Sequence, residues 1–147
     1  MSLLENKLTK LGIKLAEPKP PVANYLGTKL VGDLLFVSAR VSELQGVVGE
    51  DVSEADAKKA ARDTLVLLLA IVKKDLLDLD RIITVVKLQG FIRSGNKFTK
   101  QPQVLDGASE LLIELLGENG RHARTATGVN QLPYGAAIQL DMILQVK

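Results

Sequence analysis

Cysteine is absent from this chain of 147 residues, and with it go disulfides, thiolate metal sites and a cysteine nucleophile. Histidine occurs once, at His122, which excludes a multi-histidine zinc site and a two-histidine acid–base pair. Long apolar runs are missing as well. The longest, residues 65–72, is eight residues, far below the roughly 18–20 needed to cross a bilayer. The first turns of the chain place Glu5, Lys7, Lys10 and Lys14 among the apolar residues, so they lack the unbroken core of a secretory signal. A soluble, cytoplasmic protein is expected. Nor is there an excess of either charge. Nineteen Lys and Arg against 17 Asp and Glu leave +2, too balanced to predict a polyanion partner.

What is present fits one ordinary globular domain: 15.9 kDa, with 46% hydrophobic and 24% charged residues. Leucines 3, 4, 8 and 11 recur at helical spacing with Ser2 as a plausible N-cap. Pro18, Pro20 and Pro21 then break the chain. Residues 1–17 are therefore read as a helical extension packed on a domain of residues 18–147. Two β-rich runs, 29–31 and 34–38, flank Gly32-Asp33, a two-residue hairpin signal. Ser53 precedes Asp56 by three residues, an approximate capping box, and opens a helix from 54 to about 76. Ala57, Ala60, Ala61, Leu65, Leu68 and Val72 recur along it at three- and four-residue steps, enough to cover a sheet face.

Residues 81–93 carry branched or aromatic side chains on both faces, which suits a central, doubly covered strand. A second long helix is expected over 103–116, ended by Gly117, and the last strands over 124–130 and 136–146. The order β-β-α-β-α-β-β after the leading helix makes a two-layer α+β domain, its helices on one face of a mixed sheet. In the final strand Ile138, Leu140, Met142, Leu144 and Val146 point one way, and Gln139, Asp141 and Gln145 the other. The polar side is either an ordinary solvated sheet face or the inner lining of an oligomer with clefts at its seams.

Several of these segments together resemble the Rid family of reactive-intermediate deaminases, the YjgF-like proteins, many of which carry the older label L-PSP endoribonuclease. They are Tyr25, the hairpin Gly32-Asp33-Leu34-Leu35-Phe36-Val37-Ser38, the run Gly120-Arg121-His122-Ala123-Arg124-Thr125-Ala126-Thr127-Gly128-Val129, Leu132-Pro133, and Ala136-Ala137-Ile138-Gln139-Leu140-Asp141. The likeness spans residues 18–147. Residues 101–124, with Asp106-Gly107-Ala108-Ser109, look like a particular branch of the family. The resemblance implies a chorismate-mutase-like fold, a homotrimer with ligand clefts between subunits, and no metal or organic cofactor. It also implies hydrolysis of 2-imino acids and their enamine tautomers to 2-oxo acids and ammonia.

By the same resemblance Arg124 binds the substrate carboxylate, a task suited to a permanently charged planar fork of donors. The alternative for Arg124 is a purely structural salt bridge. Tyr25 and Ser38 match the substrate-side hydroxyls. Gln139 stands where deaminase-type members carry a glutamate. An amide orients water but cannot take its proton. Asp141 shares the Gln139 face, about 6–7 Å farther along the strand. Asp106 falls near a position where asparagine is usual, and an anion there repels a carboxylate unless Arg121 or another cation pairs with it. His122 is expected to shape the loop before Arg124. Two other readings compete with deamination: a trimeric protein that binds small carboxylates without turnover, and a ribonuclease. Scattered basic residues, 3% aromatics and one histidine argue against the last.

Overall fold

The computed structural model describes residues 1–147. Five strands, β1 (Thr28–Val31), β2 (Leu34–Val41), β3 (Ile82–Arg93), β4 (Ala123–Val129) and β5 (Ile138–Val146), form one sheet in the order β1-β2-β5-β3-β4. Two long helices, α2 (Glu54–Leu76) and α3 (Gln101–Leu116), follow the short leading helix α1 (Leu3–Lys10). All neighbouring strands are antiparallel except β3 and β4. Because β2 and β3 both run antiparallel to β5, they are parallel to each other. The chain thus makes two helical crossovers, β2–α2–β3 and β3–α3–β4, and both helices lie over one face. This is the expected α+β architecture.

Local chemistry accounts for the boundaries. Gly32, at φ 59°, supplies the left-handed residue of the β1–β2 turn. Ser53 accepts the Asp56 N–H at 3.1 Å and opens α2. The buried stripe of α2 includes Ala57, Ala61, Leu65, Leu68 and Val72, and it meets Leu105, Ala108, Leu111 and Leu112 of α3 and the even-numbered side chains of β5. Ion pairs Lys58–Glu110 at 3.3 Å and Arg62–Glu114 at 3.5 Å step together along α2 and α3, as parallel helices require. The two helices are in backbone contact at Gly107, where an added methyl would stand 2.0 Å from the Lys58 carbonyl oxygen. Gly107 is therefore a contact residue, placed directly after Asp106.

Two expectations need amendment. β3 lies inside the sheet, but the helices cover only one of its faces, and β5 is the central strand. Irregularities in the β3–β5 register at 82/84 and 85/87 insert extra residues. They set the buried positions three apart, at Ile82, Val85 and Leu88, before alternation resumes through Gly90 and Ile92. Ile83 and Val86, 38% exposed each, are left outside the helix-covered core. Helix α3 also begins at Gln101, two residues earlier than expected, with Pro102 in its first turn, where the missing N–H costs nothing.

Helix α1 is docked. Leu4 and Leu8 join the hydrophobic core, Lys7 donates to the Leu115 carbonyl at 3.0 Å, and Glu5 pairs with Lys73. The Asp80 carboxylate accepts the N–H groups of Leu3 and Leu4 at 2.8 and 3.0 Å, beside the Ser2 cap on Glu5. These bonds to Leu4 and then Leu3 hold the Asp80 carboxyl below its ordinary value of 3.8. No helix is long and apolar enough to cross a membrane.

Candidate functional site

Arg124 sits on the edge strand β4 opposite Leu88. Leu88 is fully buried beneath the helices, so the alternation of the sheet sends Arg124 to that same side. There α3 passes over it, and the open edge leaves its side chain 24% exposed. Asp106 and Ser109 are three residues apart on α3 and present one face to the strand. The Arg124 Nη1 donates to Asp106 Oδ1 at 2.7 Å and to Ser109 Oγ at 3.2 Å.

Ser109 in turn lies 2.9 Å from His122 Nε2, while His122 Nδ1 lies 2.6 Å from the Gly120 carbonyl oxygen. A carbonyl can only accept, which assigns the ring proton to Nδ1. Nε2 then accepts the Ser109 hydroxyl, and the serine lone pairs are turned toward Arg124. Arg124 donates to Asp106 on one side, and on the other a directed chain runs from Arg124 through Ser109 and His122 to the Gly120 carbonyl. The histidine shapes the turn before β4 and fixes the polarity of the serine that helps to hold the arginine. Arg121 is not the cation that pairs with Asp106. It points outward, 3.9 Å from Glu118, and Arg124 fills that role.

The remaining singled-out residues lie elsewhere in the chain. Ser38 donates its hydroxyl to the Leu26 carbonyl at 2.6 Å and its N–H to the Gly27 carbonyl at 2.9 Å. It thereby clamps the loop that carries Tyr25, which is exposed. Tyr25 and Ser38 thus form a second group beside β1 and β2. Three strand steps separate β2 from β4, roughly 14 Å at the usual spacing. Gln139 pairs across to Phe91, which pairs with Thr127. It is two strands and three residues from Arg124, again roughly 14 Å, and on the sheet face away from the helices. Asp141 shares that open face. Its carboxyl is raised above 3.8 by burial, against the opposing pull of Lys87.

One chain therefore unites Arg124 with Asp106, adds Ser109 and His122, and keeps Tyr25, Ser38 and Gln139 apart from them. Ser109 was within the branch-specific segment, and its spacing from Asp106 is the signal that could have singled it out. The two main cavities also lie away from Arg124. One, of about 190 Å³, is bordered by Ser42, Glu43, Asp63 and Thr64. The other, of about 540 Å³, runs between α1 and residues 12–15. No three His, Asp or Glu side chains converge as a metal-binding group.

Residues 5–143 match the sequence model of a family described as "YjgF/chorismate_mutase-like, putative endoribonuclease". Protein TCP17 of Trypanosoma cruzi is 37% identical over 146 residues, covering 95% of this chain and 91% of that protein. The crystal structure of Agrobacterium tumefaciens Atu1372, a protein of unknown function, superposes with a TM-score of 0.92 at 39% identity, covering 99% of this chain and 93% of that one. A Shewanella oneidensis MR-1 protein called a "putative endoribonuclease" gives 0.93 at 28% identity, with 97% and 99% covered. The fold and the matched sequence lead to one conclusion: this chain belongs to the YjgF/chorismate-mutase-like family, the Rid family.

Proposed function

We propose that the protein is a Rid-type imine/enamine deaminase that hydrolyses small 2-imino acids to 2-oxo acids and ammonia, acting as a homotrimer. The observation that carries this reading is the state of Arg124. Its guanidinium is held at a sheet edge through Nη1 alone, and Nε and Nη2 have no partner in the chain. Neither is among the buried side-chain atoms that lack a hydrogen bond. An anchored guanidinium with one edge open to solvent is suited to gripping a carboxylate at two points.

Tyr25, Ser38 and Gln139 are too far from Arg124 to act on the same small molecule within one chain, so in this reading a neighbouring copy contributes them. Ser38, whose proton is given to Leu26, keeps its oxygen lone pairs for an imine N–H. Gln139 orients a water without deprotonating it. The water oxygen attacks the imine carbon as the C=N π pair moves to nitrogen. Both protons of the attacking oxygen pass in turn to the nitrogen through solvent, the C–N bond breaks, and ammonia leaves as the carbonyl forms. Imines hydrolyse in water unaided, so holding substrate and water together supplies a large share of the acceleration.

Purified protein is expected to speed ammonia release from a freshly generated 2-imino acid, with Arg124→Ala returning the rate to that of buffer. No acceleration by the wild type counts against deamination. A second reading, a trimer that binds small carboxylates without turnover, draws support from the separation of Gln139 from Arg124 and from the engagement of His122 and Asp106, the groups nearest Arg124 that could accept a proton, in the bonds that hold the arginine. Saturable, Arg124-dependent 2-oxo acid binding without turnover of any imine identifies it. Ribonuclease activity has less support. The single histidine has both ring nitrogens engaged, which leaves no free imidazole for acid–base work on a strand.

A further inference from the structure

Arg124 spends one nitrogen on its own chain, and Asp106 spends one oxygen. A guanidinium and a carboxylate commonly meet as a two-point fork, which here would spend a second arginine nitrogen and the second aspartate oxygen on the pair itself. Ser109 opposes that fork. It sits one helical turn from Asp106 and accepts from the same Nη1 at 3.2 Å, its proton kept on His122. Nη1 is straddled by the two α3 side chains, and Nε and Nη2 are left outward. Asp106 Oδ2 likewise has no partner, its side chain is 42% exposed, and it is not among the buried unpaired atoms. One cationic edge and one anionic oxygen, each without a partner in the chain, therefore belong to the same ion pair at the start of β4.

We propose that this half-spent pair is a zwitterion subsite: Arg124 takes the carboxylate of a small 2-amino or 2-imino acid, and Asp106 Oδ2 takes its ammonium or iminium nitrogen. The inference rests on the reading of Arg124 as a carboxylate anchor and adds a specificity residue to it. In such acids the nitrogen is on the carbon next to the carboxyl carbon, so the two charges are adjacent, as they are in the protein pair. A 2-oxo acid brings only the anion. It meets Asp106 with no cation to offer in return, and unlike charges matched on one side only are penalised. An asparagine at this position would lack that discrimination, since an amide carries no charge. In a deaminase, Asp106 thereby favours the protonated imine over its 2-oxo acid product, so hydrolysis itself weakens the ligand's hold.

Calorimetric titration of the full chain with alanine and with pyruvate tests this, since the two share a carbon skeleton and differ in ammonium against keto oxygen. Wild type is expected to bind alanine about tenfold more tightly than pyruvate, the worth of one charge-assisted hydrogen bond discounted for exposure. Asp106→Asn is expected to erase the ratio, weakening alanine and strengthening pyruvate, and Arg124→Ala to abolish binding of both. Pyruvate binding wild type as tightly as alanine, or more tightly, overturns the zwitterion subsite without recourse to any variant. In that case loss of pyruvate on Arg124→Ala still leaves the carboxylate anchor standing. Binding that survives Arg124→Ala, or no binding of either acid by wild type, overturns the anchor and the subsite with it.

Discussion

The two faces of the sheet are made by the same strands and follow opposite rules. On the helix side Leu88, Ile138, Leu140 and Leu144 are fully buried, and charge enters at the β4 edge, where Asp106, Arg124, Ser109 and His122 satisfy one another. On the open side Ile83, Val86 and Phe36 remain accessible beside Lys87, Gln139 and Asp141, and burial there raises a carboxyl without supplying a full partner. The contrast shows where this chain can place a charge with purpose. A cation is anchored where the core ends, while the open face mixes apolar and polar groups.

Substitutions can break or sharpen that contrast. Gly107→Ala should have the largest effect, because its methyl meets the Lys58 carbonyl at 2.0 Å and must push α2 and α3 apart. We expect a loss of about 3 kcal/mol or more in urea unfolding, the upper part of the overpacking range, with displacement of Asp106 and impaired ligand binding. Leu88→Ala, a truncation on the covered face, should cost about 2–5 kcal/mol. Ile83→Ala on the open face should cost under about 1 kcal/mol in a separated chain. If copies meet on that face, Ile83→Asp should shift the molecular mass in sedimentation toward that of one chain. An unchanged mass would mean that Ile83 is not a contact.

Two pH predictions of opposite sign follow from the carboxyls. Asp141 has a folded value raised above 3.8, so it holds its proton more tightly when folded. Its contribution to stability declines as pH rises above 3.8 and through the folded value. Asp141→Asn should therefore raise the melting temperature at pH 7, by at most about 4 °C, and have little effect below pH 4. Asp80 behaves inversely. With its folded value lowered by the α1 N–H groups, its contribution is complete above 3.8 and is lost as pH falls through that lower value. Asp80→Asn should lower the melting temperature at pH 7 by about 2–4 °C, the loss of a helix cap, and the difference from wild type should shrink in acid.

The readable parts of the sequence were those in which one local rule acts without interference. Strand β5 alternates without a break, Ser53 caps α2, and Gly32 turns the first hairpin. Strand β3 misled because two bulges change its buried period from two to three, so apolar residues on both sides suggested two covers where the chain provides one. At the site, Arg124 was legible from the run around it and Asp106 from its unusual charge. That each is the other's partner depends on α3 lying over β4, a long-range fact that no local pattern carries. Ser109 was hidden for the same reason: a serine inside a helix declares no role until the strand beneath it is known.

The most direct test of the account is a crystal structure of the protein soaked at saturating concentration with a small 2-oxo acid. The ligand carboxylate is expected on Nε and Nη2 of Arg124, with Nη1 still on Asp106 and Ser109 and with Tyr25 or Ser38 of an adjoining copy against the ligand. An Arg124 closed onto Asp106 through both nitrogens, with the acid bound elsewhere or nowhere, would contradict it.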